Sequence, residues 1–196
     1  MPCQAEQSGA GWGNMAKKLT QAYLERAAFH YLGRYASSAA NLARVLRRKV
    51  KRRLDDGEEI QPEYDEWIAA VVEKCIRLNY VNDRDYARMK ARSMSRAGKA
   101  KGPVSAYLRH KGVSGQDIED ALGQLDREMD DKADWFAAVA YARRRRFGPF
   151  RTADADEDKK RRELASMLRA GHRFELAREI ITATSSQVLE MTPDEE

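Results

Sequence analysis

The chain has 196 residues, of which 34 % are charged, 42 % hydrophobic and only 8 % aromatic. Lys and Arg outnumber Asp and Glu by 36 to 31, a formal net charge of +5 that permits a polyanion or an acidic protein surface as partner without requiring one. This composition suits a helical protein with a thin core better than an enzyme built round a deep pocket, and the length allows one large domain or several small units.

Residues 1–18 are rich in Gly, Gln, Ser and Lys, show no period, and read as a disordered arm. From there almost every stretch has helical spacing, and no alternating strand pattern persists. The first helix is predicted from about Leu19 to Gly33, with Tyr23, Ala27, Phe29, His30 and Tyr31 among its bulky positions. Ser38 is placed to cap a second helix carrying Leu42, Val45, Leu46, Val50 and Leu54. After the loop DDGEEIQP, a third helix bears Trp67, Ile68, Val71, Val72, Cys75 and Leu78.

Asn82 or Asp83 then caps a fourth helix, which holds Tyr86, Ala87, Met89 and Met94 and ends near Gly98. Gly102-Pro103 opens a short fifth helix that Gly112 stops, and a sixth carries Ile118, Ala121, Leu122 and Leu125. Trp135, Phe136, Val139 and Phe147 mark a seventh. After Gly148-Pro149 and an acidic DADED segment, Leu164, Met167 and Leu168 mark an eighth, closed by Gly171. Phe174 to Ile181 is the ninth, and residues 184–196 read as an acidic tail.

The chain repeats itself. Leu46, Leu108 and Met167 mark equivalent points, 62 and 59 residues apart, and Gly112 and Gly171 each follow their apolar residue by four. Ile118 and Leu122 then match Ala177 and Ile181. Three three-helix repeats are therefore expected, over residues 19–81, 82–127 and 128–183. Each is too small to bury a good core alone, so neighbours should stack into an elongated all-α array. The first copy breaks the pattern, since Val50 stands where the others have Gly.

The run YLGRYASSAANLARVLRRKV, then LNYVNDRDYAR, GPVSAYLRHKGV and MLRAGHRFELAREII, resembles the RecX family of recombinase regulators over about residues 19–183. The most specific parts are Asn82-Asp83 with Tyr86-Ala87, and the block from Leu108 to Gly112. Val50, and His172 where the family often has an aromatic residue, depart from its pattern. The resemblance implies tandem three-helix repeats that bind RecA-type recombinase filaments on DNA and suppress their ATPase and strand exchange. It further implies a negative modulator of homologous recombination and the DNA-damage response, with no catalytic residues.

Independently of that resemblance, Arg44, Arg47, Arg48, Lys51 and Arg52 share one face of the second helix, opposite its apolar residues. Such a stripe is either a solvated surface or a contact for phosphate or acidic protein. Arg109, His110 and Lys111 end the fifth helix and serve either its dipole or a ligand. Arg143, Arg144, Arg145 and Arg146, with Lys159, Lys160, Arg161 and Arg162, flank the loop of the third copy. Consecutive positions point round a helix, and salt bridges to Asp154, Asp156, Glu157 and Asp158 compete with a partner. Tyr23, Tyr31, Tyr35 and Trp67 have the spacing of core residues rather than of base-stacking ones.

Catalytic and metal signals are missing from the sequence. His30, His110 and His172 lack partners at metal-ligand spacing and read as surface or interhelix residues, and Asp83 and Asp85 read as a cap and a dipole-compensating charge. No phosphate-cradling loop or nucleophile elbow occurs, and no cofactor is implied. Cys75 reads as a core residue, and the two cysteines make no disulfide framework. No apolar run nears the roughly 18 residues that span a bilayer, and no signal pattern opens the chain, so a cytoplasmic monomer with no membrane partner is expected.

Two functions remain. A filament-binding regulator would bind single- or double-stranded DNA only weakly and non-specifically. A helix-turn-helix-like protein reading duplex DNA needs base-reading side chains at the start of a recognition helix. The fifth helix offers Val104, Ser105 and Tyr107 there, and the eighth offers Lys160, Arg161 and Arg162, which suit phosphate. Direct reading is thus disfavoured.

Overall fold

Apolar stripes at helical spacing recur along this chain, and each becomes one helix, five of them started by a polar capping side chain. The computed structural model describes residues 19–54 and 60–185, and among them it forms nine α-helices and no strand. They are α1 (Gln21–Leu32), α2 (Ala39–Lys51), α3 (Pro62–Arg77), α4 (Asp83–Arg96), α5 (Lys101–His110), α6 (Gly115–Glu128), α7 (Ala133–Arg145), α8 (Glu157–Arg169) and α9 (Phe174–Thr182). The predicted N-terminal arm, most of the loop after α2 and the tail beyond Ser185 lie outside the described residues.

Thr20, Ser38, Asn82, Ser114 and Asp156 each accept a hydrogen bond from the backbone N–H three residues on, satisfying a donor that the first turn leaves bare. Gly112 and Gly171 adopt φ of +80° and +91°, the left-handed conformation expected of glycines that stop a helix. Some boundaries differ from expectation. Leu54, Leu78 and Phe147 fall beyond their helices, and Arg146 takes the left-handed conformation that ends α7. The fifth helix starts at Lys101, which puts Pro103 third, where its missing N–H costs no intrahelical bond.

The apolar faces gather into three clusters. Leu24, Leu42, Leu46, Val50, Val71 and Cys75 centre the first, within α1–α3. Ala87, Ala91, Val104, Leu108, Ile118 and Leu125 centre the second, within α4–α6, and Ala133 at the start of α7 joins it. Ala138, Ala142, Met167, Ala177 and Ile180 centre the third, within α7–α9. The small residues of α7 let neighbouring helices approach closely. Among the described residues the helices pack mainly within their own group and against the neighbouring one along the chain, giving an elongated array of three-helix repeats. Contrary to the expected core positions, Tyr35 is 57 %, Met89 41 % and Leu168 39 % exposed.

The two joints differ in kind. Between the second and third groups, α4 packs along α7, and Gly98 lies so close to Tyr141 that a Cβ there would meet its backbone N at 2.6 Å. Lys101 ties the same joint, with its Nζ 2.7 Å from Asp126 and 3.4 Å from Asp134. Among the described residues no comparable helix packing joins the first group to the second. Their contact is made by helix ends and hydrogen bonds.

Candidate partner and nucleic-acid interface

By burying Leu42, Val45, Leu46 and Val50, α2 turns Arg44, Arg47, Arg48, Lys51 and Arg52 outward. The structure divides these five cations. Arg44 donates to the His110 carbonyl at 2.6 Å, where it meets one of the last carbonyls of α5 and the negative end of that helix dipole. Arg47 pairs with Asp65 at 3.1 Å, both side chains being about half exposed, so solvent screens the pair heavily. Arg48, Lys51 and Arg52 are exposed and have no ion pair among the described residues. They form the open part of the stripe.

The end of α5 lies beside this helix. Ser38 Oγ donates to the Lys111 carbonyl at 2.5 Å, and Lys111 Nζ donates to Asn41 Oδ1 at 3.2 Å while its ammonium stands 5.5 Å from the Tyr107 ring. Lys111 is thus occupied inside the fold. Arg109 remains exposed next to it. Asn41 anchors Lys111 to the first group, since its Nδ2 also donates to Ser37 Oγ at 2.8 Å and to the Tyr31 hydroxyl at 3.2 Å.

The other basic runs are not brought to this face by α2. Arg143, Arg144, Arg145 and Arg146 are exposed at the end of α7, where the guanidinium of Arg143 lies 5.4 Å from the Phe150 ring and those of Arg144 and Arg145 approach Tyr141. In α8, Lys160 pairs with Glu157 at 2.7 Å, Arg161 pairs with Asp158, and Arg162 donates to the Asp158 carbonyl. Those three cations mostly answer their own helix's acidic first turn, which leaves the exposed Lys159 as the one of the run whose side chain has no partner among the described residues.

Sequence reasoning passed over Arg169. It follows Met167 by two residues, as Arg48 follows Leu46, and it is exposed. The offset that located the glycines was enough to find it. Glu163 was also missed: it is 4 % exposed, accepts a bidentate bond from Arg151 and accepts from the Gly148 N–H at 3.2 Å, fixing the loop before α8. A lone Glu between Arg162 and Leu164 carries no sequence sign of burial.

The histidines and acids have structural surroundings. His30 and His110 are exposed. His172 is buried against Tyr141, ring centroids 5.1 Å apart, and burial pushes its pKa down against a hydrogen bond to the Gly98 backbone. Asn82, not Asp83, caps α4; Asp83 instead accepts at 2.8 Å from the Ala39 N–H of α2. Burial pushes the Asp83 pKa up, partly countered by that bond. Among the described residues, no three His, Cys, Asp or Glu side chains are grouped to hold a metal, and no helix is long and apolar enough to cross a membrane.

Comparison with known proteins places this arrangement. The family model described as RecX, second three-helix domain, matches residues 82–122, the α4–α6 stretch. The chain is 36 % identical over 84 % of its length to the Regulatory protein RecX of Myxococcus xanthus, covering 87 % of that protein. It is 32 % identical to the Regulatory protein RecX of Agrobacterium fabrum, over 58 % of each chain. The crystal structure of RecX from Lactobacillus salivarius matches at a TM-score of 0.56 and 22 % identity, over 88 % of this chain and 97 % of that one, a likeness of fold.

Proposed function

We propose that this chain, which belongs to the RecX family of regulatory proteins, binds RecA-type recombinase filaments on DNA in the cytoplasm. There it suppresses their ATPase and strand exchange without a catalytic step of its own. The observation that supports this most directly is the open half of the α2 stripe. Arg48, Lys51 and Arg52 are held outward by the core, have no ion pair among the described residues, and occupy the last turns of the helix whose first turns meet the end of α5. Unpaired cations on a rigid helix suit a phosphate backbone or an acidic protein surface, and these lie at the end of α2 rather than at the start, where a recognition helix carries its base-reading side chains. Arg109, Arg169, Lys159 and the exposed Arg143–Arg146 run add positive charge along the array, while Arg44 and Lys111 tie the first group to the second and Arg47 pairs with Asp65 within the first. The contribution of DNA is thus non-specific and secondary to the filament.

The test is recombinase ATPase on single-stranded DNA with this protein titrated in. Stoichiometric amounts should lower turnover, and raising salt should weaken the effect steeply as counterion release loses its advantage. Changing Arg48, Lys51 and Arg52 together to Glu should leave helicity intact and abolish most of the inhibition. Unchanged turnover with the unaltered protein would remove the reading. Full inhibition by the folded triple variant would move the contact to the third group.

A further inference from the structure

An open groove of about 300 Å³ lies between the first and second groups, lined on one side by Ser37, Asn79 and Tyr80 and on the other by Asp85, Tyr86 and Met89. Its rims are apolar. Tyr80 is 59 % and Met89 41 % exposed, with Leu78 at 50 % and Ile76 at 48 % on the same turn as Tyr80, and Tyr35 at 57 % next to Ala36 on the groove wall. Among the described residues seven large hydrophobic side chains are exposed; two of them, Tyr80 and Met89, line this groove, and three more, Tyr35, Ile76 and Leu78, lie within three residues of a lining residue in sequence. Such clustering marks an interaction surface where scattered exposure would not.

We propose that this groove is a docking site for a segment of the recombinase that presents a bulky apolar side chain next to a cation. The proposal rests on the filament-binding reading above and names the protein half of that contact. The groove's charge selects the partner. Asp85 contributes a carboxylate 66 % exposed, which Arg88 meets only at 3.9 Å, and no Lys or Arg lines the groove. A phosphate backbone is repelled here, whereas a cation on a peptide is welcomed. Tyr and Met are the residues that interface centres favour, and the unbranched Met side chain adapts to its occupant. The Asn79 amide and the Asp85 carboxylate can pair with peptide backbone or with that cation.

Geometry then favours a filament over a second copy of this chain. The groove seats one or two side chains, much less than the roughly 800 Å² per partner of a stable complex. A contact this small needs a second one on the same target. Ser37 lines the groove immediately before α2, and the open cations occupy that helix's last turns, about 15–20 Å away along the axis. One helix therefore points its start at the protein site and its end at the phosphate site, and a recombinase filament on DNA supplies both, so that two weak contacts act as one strong one.

The experiment compares binding to recombinase filaments on single-stranded DNA with binding to the same DNA bare, for Tyr80→Asp and Met89→Asp and for Leu168→Asp as an exposed apolar control. Filament affinity should fall about thirtyfold in the groove variants, the size of a hot-spot side chain, with bare-DNA affinity and the control unchanged. Should Tyr80→Asp lose helicity through its contact with Phe29, the Met89→Asp variant on the outer face of α4 decides. Folded groove variants with unaltered filament affinity overturn the proposal. So does an equal loss on bare DNA, which makes the groove a nucleic-acid site, or a concentration-dependent dimer that the variants abolish, which makes the occupant a second copy. An unaltered protein that never binds the filament sinks the filament reading itself and the groove assignment with it.

Discussion

Asp83 is the first residue of α4 by position and a cap of α2 by contact, since its Oδ1 takes the Ala39 N–H across 44 residues of sequence. Local reasoning placed an acid correctly at a helix start, because a carboxylate there compensates the dipole, but it assigned the wrong helix. Its actual partner has no sequence signature. His172 shows the same limit. Its position after Gly171 was legible, but its burial against Tyr141 and the Gly98 backbone depends on how the third group meets the second. That environment has a consequence for pH. Burial lowers the folded-state pKa of His172, with Asp134 opposing the shift. The unfolded chain therefore takes up this proton first as pH falls, so the stabilisation is present above the unfolded value near 6.5 and is lost as pH drops through the folded value. Urea midpoints measured at pH 7.5 and pH 5.5 should show the unaltered protein losing stability between them. His172→Phe, which keeps a ring against Tyr141, should lose less; an identical drop in the variant would assign the effect elsewhere.

The second helices of the three groups explain, at the scale of elements, why the glycines recur. Gly112 ends α5 against the start of α2, where a Cβ would stand 2.4 Å from the Ala40 Cβ, and Gly171 ends α8 against the start of α5, where a Cβ would stand 3.0 Å from Pro103 Cδ. The end of each later helix thus abuts the beginning of the earlier one. Positive φ at both positions was foreseeable from helix-stop chemistry, but the lack of room was not, because it depends on the group before. The first copy has no earlier group to abut. Val50 accordingly continues α2 and fills its own core, at 0 % exposure. Gly112→Ala should therefore cost about 1 kcal/mol for the left-handed backbone and more for the overlap with Ala40. In an Ala40→Gly background the overlap is gone while the backbone term stays, so the same substitution should cost less. A double-mutant cycle on unfolding free energy measures that difference. Strict additivity would show that the two helices do not meet there.

Across the whole molecule, the order of helices and the tandem repeat were legible because they arise from caps, glycines and apolar spacing within ten or fifteen residues. The joints were not, because their bonds cross long stretches of sequence between ordinary residues: Ser38 to Lys111, Ala39 to Asp83, Arg44 to His110. The candidate site divides in the same way. The α2 stripe could be read from periodicity, but which of its cations serve the fold, and that Tyr80 and Met89 stand open at the joint, could not. The difference between the joints predicts where the array yields. The joint of the second and third groups is helix packed on helix with a shared apolar boundary, as Ala133 of α7 lies in the second core. The joint of the first and second is a set of hydrogen bonds between helix ends, each worth about 1 kcal/mol net against water. It should open without either core unfolding. The Ala39 amide, which bonds only across that joint to Asp83, reports the opening directly. Native-state hydrogen exchange should therefore find Ala39 exchanging through a local opening that denaturant barely affects, while Leu46 in the same helix exchanges only with loss of its core. Equal protection at the two positions would mean that the first joint is as firm as the second, and that the groove beside it has a fixed width.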